Sequence, residues 1–356
     1  MDLFSNTVQR VGGLDRESMR VCRLRLDSLT KPIGSLGVLE DIAERIAGIT
    51  GDPRPAPGPK TVLVMAADHG VVSEGVSLYP PDVTAQMVMN FLSGGAAINV
   101  LAGHAGADVV VVDIGVASAL EHRNLVSRKV RRGTANMARG PAMTGDEAVM
   151  AVEAGMEVAL GAISGGSEYL AVGDMGIGNT TAASAVTACM TGQDPLEVTG
   201  RGTGVNDGTL ERKVEVIRRA LETNSPDPDD PLGVLSRVGG LEIGGIAGAI
   251  IACAAERRPV LIDGFISSAG ALIAAGLCPR CVDFMIASHL SVEKGHQAVL
   301  DELGLRPVIH ADMRLGEGTG AALAFLIVDA SLKLLRGMAT FEDAGVSGPA
   351  GEGEGL

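Results

Sequence analysis

Three glycine-rich turns carry the residues of this chain that could do chemistry. In Arg314-Leu315-Gly316-Glu317-Gly318-Thr319-Gly320, one carboxylate stands between glycines just before an apolar helix. Glycines on both sides strip away side-chain cover and leave room for a ligand's ring. Low polarity there would raise a Glu toward the working range of a general base. A Glu in the first turn of a surface helix, placed to suit the helix dipole, has the same local sequence. In Gly173-Asp174-Met175-Gly176-Ile177-Gly178-Asn179-Thr180-Thr181-Ala182-Ala183, a strand exit runs through a glycine turn into a helix start. Backbone N–H groups can approach a ligand closely there, and a helix N-terminus favours a phosphate. An ordinary turn capped by Asn or Thr is the alternative. The segment is neither a Walker loop nor a GxGxxG dinucleotide fingerprint. Arg201-Gly202-Thr203-Gly204 with Lys213 adds a third glycine turn near positive charge, which an acidic protein needs if its substrate is an anion.

These turns need elements to hold them. Apolar runs without polar alternation fall at Val62–Ala66, Val109–Ile114, Tyr169–Val172, Val260–Ile262 and Phe284–Ala287, with Pro307–Ile309 a weaker sixth. Such runs suit strands buried on both faces, so the pattern predicts an α/β fold, a mostly parallel sheet flanked by helices. Each of the five stronger runs exits into a polar residue, at Asp68-His69-Gly70, Asp113-Ile114-Gly115, Asp174-Met175-Gly176, Asp263-Gly264 and Ser288-His289. Open α/β sheets bind ligands outside the carboxyl ends of their strands. Five such exits read as one shared site. Residues 14–49 read as helical, with Leu36, Leu39, Ile42, Ala43, Ile46 and Ala47 at the spacing of one buried face. The Pro-rich stretch 51–59 reads as a linker, 224–231 as a surface loop, 319–336 as helix and 347–356 as a disordered tail.

Composition excludes several classes. Lys plus Arg is 29 against 43 for Asp plus Glu, a net charge of −14, the reverse of a nucleic-acid binder. No basic cluster is read as offsetting it. Apolar residues make up 46% of the 356, enough to bury a core, whereas aromatics are only 2% and Gly reaches 49. The core is therefore built from Ala, Val, Leu, Ile and Met, with close backbone approaches. The longest apolar run, Ile243 to Ala255, falls short of the roughly 18 residues of a membrane span, and the opening residues carry no signal peptide. Five cysteines are an odd count for a secreted disulfide framework, so a cytoplasmic protein is expected. Cys278-Pro279-Arg280-Cys281 is a single CxxC pair without the partners of a zinc site.

The segments KPIGSLGVLE (31–40), AADHGV (66–71), GDMGIGNTTAA (173–183), VGGLEIGGIAG (238–248), PVLIDGFISSAGAL (259–272), SHLSVEKGH (288–296) and RLGEGTGAALA (314–324) occur in that order. Together they resemble the nicotinate-nucleotide:dimethylbenzimidazole phosphoribosyltransferase family, over about residues 25–335. The resemblance implies transfer of the phosphoribosyl group of nicotinate mononucleotide to a benzimidazole base. The products are nicotinate and α-ribazole 5′-phosphate, for the lower ligand of cobalamin, with no metal or dissociable cofactor. It also implies a homodimer of two-domain subunits. Each would have a large Rossmann-like nucleotide- and base-binding domain, here 60–330, and a small helical domain from both chain ends, here 1–52 completed by 331–346.

By position, the resemblance makes Glu317 the catalytic base, with Leu315 and Gly316 lining the pocket beside it. Gly176, Ile177, Gly178, Asn179 and Thr180 would hold the nucleotide. Gly202, Lys213, Asp263, Gly264, Phe265 and Ser291 would surround its ribose and phosphate. Asp174 stands where some relatives have Glu. Tyr79 and Met87 align where relatives can present Ser and Gln in the base pocket, and a one-residue slip would bring in Gln86 instead. Two other classes stay in view: a metal-dependent hydrolase built on Asp68, His69, His289 and His310, and a non-enzymatic nucleotide-binding regulator.

Overall fold

The apolar runs pair into one sheet. The computed structural model describes residues 2–202 and 206–347. In it, β1 (Lys60–Ala67), β2 (Ala107–Gly115), β3 (Leu125–Ser127), β4 (Tyr169–Met175), β5 (Val260–Ile262) and β6 (Met285–Ala287) form a six-stranded sheet. Its order is β3-β2-β1-β4-β5-β6, and every neighbouring pair is parallel. This is the order of a doubly wound, Rossmann-like sheet. The connections reverse direction between β1 and β4, so a crevice opens at the carboxyl ends of those two strands. β1 is buried along its whole length, as an unalternating run requires.

Two details differ from the sequence reading. The sixth strand of the sheet is Leu125–Ser127, a half-exposed edge too short to give an apolar run. The Pro307–Ile309 run supplies only β8 (Ile309–His310), which pairs with β7 (His289–Leu290) in a separate two-stranded ribbon. The chain does carry one basic run, Arg128-Lys129-Val130-Arg131-Arg132. Three of its four charges are locally matched, Arg128 by Glu157, Lys129 by Asp113 at 3.0 Å and Arg131 by Glu147.

The helices explain the glycine content. Gly145–Ser164 and Leu241–Ala255 cross so closely that a Cβ at Gly155 would stand 1.8 Å from the Gly245 carbonyl oxygen. The stretch Asp82–Ala105 reaches a mean hydropathy of 1.2, the composition of a membrane span. Residues 93–96 break it into the helices Asp82–Leu92 and Ala97–Ala105, of 11 and 9 residues, each too short to cross a bilayer. All five cysteines are free.

The chain divides into two compact units, one of Met1–Gly13 with Gly58–Phe325, the other of Leu14–Pro57 with the chain from Leu326 onward. The helix Leu3–Arg10 thus belongs to the larger unit, not to a small domain starting at residue 1. In the second unit the expected helix over 14–49 is two, Arg16–Ser28 and Val38–Thr50. Pro32 and the left-handed Gly34 and Gly37 interrupt it. Glu40, 1% exposed, organises that turn: it pairs with Lys31 at 2.8 Å and Arg23 at 3.2 Å and accepts the Leu36 N–H. Burial penalises its charge, but these partners hold its pKa below the usual carboxylate range. The tail read from Ser347 lies, beyond that residue, outside the described residues.

Candidate active site

A cavity of about 330 Å³ lies at the carboxyl ends of the central strands. Four segments build its wall. The first is the β4 exit, contributing Asp174, Gly176, Ile177, Asn179 and Thr180. The Ile177 N–H donates to Thr84 Oγ1 at 3.1 Å, tying this turn to the helix Asp82–Leu92. Gly178 then opens the helix Asn179–Thr191 with φ +90° and no side-chain cap. The Asn179 and Thr181 N–H groups bond the Gly176 and Gly178 carbonyls, which leaves the Thr180 N–H for a ligand. Gly178 itself lines a small adjoining recess with Lys213, Arg201 and Gly202.

Lys213, on the helix Asp207–Asn224, is 1% exposed and donates from Nζ to Thr180 Oγ1 at 2.8 Å. Burial lowers its pKa to about 8, against the pull of Glu293. A buried ammonium facing a helix N-terminus calls for an anion between them. Gly202 reaches the cavity. Thr203 and Gly204, the rest of that glycine turn, lie outside the described residues.

The second segment is the turn holding Leu315, Gly316 and Glu317. Gly316, Glu317 and Gly318 have φ of +82°, +64° and +89°, so Glu317 occupies the left-handed region that a non-glycine residue avoids. The turn lies directly on β4, because Gly173 has no side chain. A Cβ there would meet Gly318 N at 2.4 Å and Glu317 O at 2.5 Å. Glu317 is 5% exposed, and its Oε2 has no hydrogen-bond partner among the described residues. Burial raises its pKa, the Ile98 N–H opposes that, and the charge of Asp263 adds to it.

The third segment follows β5 and β6 with Gly264, Phe265 and Ser291. The Ser291 N–H donates to His296 Nδ1 at 2.9 Å. Asp263 does not line the cavity as expected. Its carboxylate accepts Gly318 N–H at 3.1 Å and Ala321 N–H at 3.0 Å, so it clamps the Glu317 turn from beneath. A carboxylate at a strand exit looks the same in sequence whether it faces a ligand or the backbone. Asp174 sits beside the turn, with Asn179 Nδ2 donating to its Oδ2 at 2.9 Å. Burial, then the charges of Asp263 and Glu242, push its pKa well above the usual carboxylate value.

The fourth segment distinguishes the neighbours at 86 and 87 by position. Tyr79, Val83 and Met87 face the cavity, the last two one helical turn apart. Gln86 is exposed and outside the wall. His289, Glu293 and Arg314 also line the cavity, although spacing alone marked none of them as a substrate contact. The hydrolase residues do not converge. His69 bonds Glu242 at 2.8 Å, His289 meets Ser288, and His310 is exposed. Among the described residues, no three His, Cys, Asp or Glu side chains are grouped to hold a metal.

A parallel sheet with a helix start and a buried lysine on one side of the cavity and a buried carboxylate on the other suits a group-transfer enzyme acting on an anionic substrate. The family model described as Phosphoribosyltransferase matches residues 11–346. A Chloroflexus aggregans protein named nicotinate-nucleotide–dimethylbenzimidazole phosphoribosyltransferase is 58% identical, covering 98% of this chain and 99% of its own. One of the same name from Geobacter metallireducens is 53% identical over 97% and 98%. The crystal structure of CobT from Thermus thermophilus superposes with a TM-score of 0.90 at 50% identity, over 93% of this chain and 99% of that one. The chain belongs to the nicotinate-nucleotide–dimethylbenzimidazole phosphoribosyltransferase family.

Proposed function

We propose that this enzyme transfers the phosphoribosyl group of nicotinate mononucleotide to dimethylbenzimidazole or a related base, releasing nicotinate and α-ribazole 5′-phosphate. One ring nitrogen of the base attacks the anomeric carbon. The bond from that carbon to the pyridinium nitrogen breaks, and nicotinate leaves with the electron pair, so its ring loses its positive charge. The proton on the base's other nitrogen passes to Glu317. Departure of a cationic leaving group needs no acid, so positioning and electrostatics carry the rate.

The phosphate lies at the Gly176–Thr180 helix start against Lys213 and Gly202, and the ribose against Gly264, Phe265 and Ser291. The incoming ring lies between Tyr79, Met87 and Leu315, an apolar slot that tolerates related azoles, since one methyl is worth about 1–3 kcal/mol of discrimination there. The observation that carries the reading is the buried, left-handed Glu317 between two glycines at the mouth of the Rossmann crevice. The test is product formation from nicotinate mononucleotide plus dimethylbenzimidazole, resolved by chromatography; no product would refute it.

The enzyme works as a homodimer in the cytoplasm. Exposed Leu78, Tyr79, Met89 and Val100 on and beside the helices Asp82–Leu92 and Ala97–Ala105 support an apolar partner face, and five free thiols suit a reducing compartment. Light scattering giving a single 36.3 kDa species would refute the dimer.

A further inference from the structure

His289 lines the cavity but has no part in the transfer described so far. Its two ring nitrogens have different surroundings. Ser288 Oγ donates its only hydrogen to the Asp263 carbonyl at 3.1 Å, so toward His289 Nδ1, 3.2 Å away, that oxygen can only accept. The Asp263 carboxylate, 3.8 Å from the same nitrogen, also favours a proton there. Both neighbours select the Nδ1–H tautomer. Burial pulls the ring's pKa down to about 4, so it is neutral at pH 7 and its lone pair sits on Nε2. Among the described residues the ring's hydrogen bond runs through Nδ1, which leaves Nε2 for a ligand.

The ring is also locked in place. A Cβ at Gly320 would fall 1.9 Å from Nδ1, so the imidazole lies flush on backbone that only glycine can provide. On its other edge, a Cβ at Gly264 would stand 3.6 Å from Nε2 and 4.0 Å from the Ser291 Cβ. The free acceptor is thus held at the Gly264–Ser291 wall.

An acceptor without a proton recognises donors only. In the phosphoribosyl donor at neutral pH, the carboxylate accepts and the phosphate mainly does so, whereas the ribose hydroxyls each have a hydrogen to give. The N–H of the incoming base is taken by Glu317. We infer that His289 Nε2 accepts a hydrogen bond from a ribose hydroxyl of the donor, making the enzyme select ribosyl over deoxyribosyl nucleotides. This inference rests on the transfer reaction proposed above.

The experiment measures kcat/KM for nicotinate mononucleotide and its 2′-deoxy and 3′-deoxy analogues, with the wild type, His289→Phe and His289→Gln. The wild type should prefer the ribosyl donor over one analogue by about tenfold, the scale of one net hydrogen bond. His289→Phe should lose about the same factor on the natural donor and lose its discrimination. His289→Gln, whose amide oxygen can reach the Nε2 position, should recover part of both. A merely structural role would slow all donors alike and leave the ratio intact, which would overturn the inference. So would a wild type indifferent to both hydroxyls. Should His289→Phe not fold, the ¹⁵N shift of His289 Nε2 in the wild type decides. It should move on adding the ribosyl donor and stay put with one of the two deoxy analogues; equal movement with all three would overturn the inference. Absence of any product with the wild type would instead refute the transfer reading.

Discussion

Replacing Gly173 by alanine should disable the enzyme through a residue with no functional group. The added methyl would meet Gly318 N at 2.4 Å and Glu317 C and O at 2.5 Å, whereas ordinary contact begins at 3.4 Å. The turn or β4 must therefore give way by about 1 Å. Neither is soft, because the atoms in contact are backbone and Asp263 holds Gly318 and Ala321 from below. If the turn yields, the Glu317 carboxylate moves with it. A misplacement of about 1 Å costs roughly 10²-fold in rate, and overpacking costs about 1–3 kcal/mol of stability. The assay is turnover at saturating concentrations of both substrates, per folded molecule as judged by circular dichroism. The KM for nicotinate mononucleotide should hardly change, because the phosphate is bound elsewhere. In a Glu317→Gln background the alanine should cost little more, since both changes act on one group. A folded Gly173→Ala enzyme keeping more than about a third of wild-type turnover would refute the reasoning, as would full additivity with Glu317→Gln.

Glu317→Gln alone should lower turnover about 10²–10⁴-fold with nucleotide binding preserved, and retention of more than about a tenth where chemistry limits the rate would exclude Glu317 as the base. Because Lys213 has its pKa lowered to about 8, its cation is lost as pH rises through that value. The KM for nicotinate mononucleotide should therefore climb above pH 8, and in Lys213→Met it should be high and flat over the same range. Glu242→Ala should destabilise the fold by about 3–5 kcal/mol in urea titrations, by leaving buried His69 without its partner. Burial pulls the His69 pKa down, but the charge and hydrogen bond of Glu242 overcome this and leave it raised. The pair's stabilisation is thus fully present below the unfolded histidine pKa and lost as pH rises through the folded one. The gap between variant and wild type should narrow in that direction; a widening gap would count against the pairing.

How far sequence led depended on whether local pattern carried the information. β1, β2, β4 and β5 were legible because strands covered on both faces need unbroken apolar runs, and their polar exits then placed the crevice. β3 was not, because a three-residue edge needs no such run. In the site, Glu317 and the Gly176–Thr180 turn stood out through their glycines, which backbone geometry demands. Asp263 was misread because the choice between ligand and backbone N–H is made by a segment 55 residues away. Met87 and Gln86 could be separated only once the helical phase set by Val83 was known. His289 read as a stray metal ligand because its tautomer depends on the serine before it and the carbonyl that serine bonds.

Five buried carboxylates lie in and around the cavity, Asp174, Glu242, Asp263, Glu293 and Glu317. A free oxygen alone does not choose among them, because Asp174 Oδ1, Glu242 Oε2 and Glu293 Oε2 also lack partners among the described residues. Glu293 faces the charge of Lys213. Asp263 spends both oxygens on backbone N–H groups, and Glu242 commits Oε1 to His69. Asp174 is engaged by Asn179, on a strand whose ordinary conformation would place an acidic side chain there without strain. Glu317 alone holds a left-handed conformation, at a cost of about 1–2 kcal/mol that a glycine would relieve. Such strain persists where the side chain is needed in that place. Its uncommitted Oε2 is buried, so an incoming N–H offers the hydrogen bond that this oxygen lacks. Burial and the neighbouring negative charge of Asp263 raise its proton affinity as the base gives up its proton. Backbone strain, a missing partner and raised basicity come together at one carboxylate, and the two glycines beside it keep the way open for the ring.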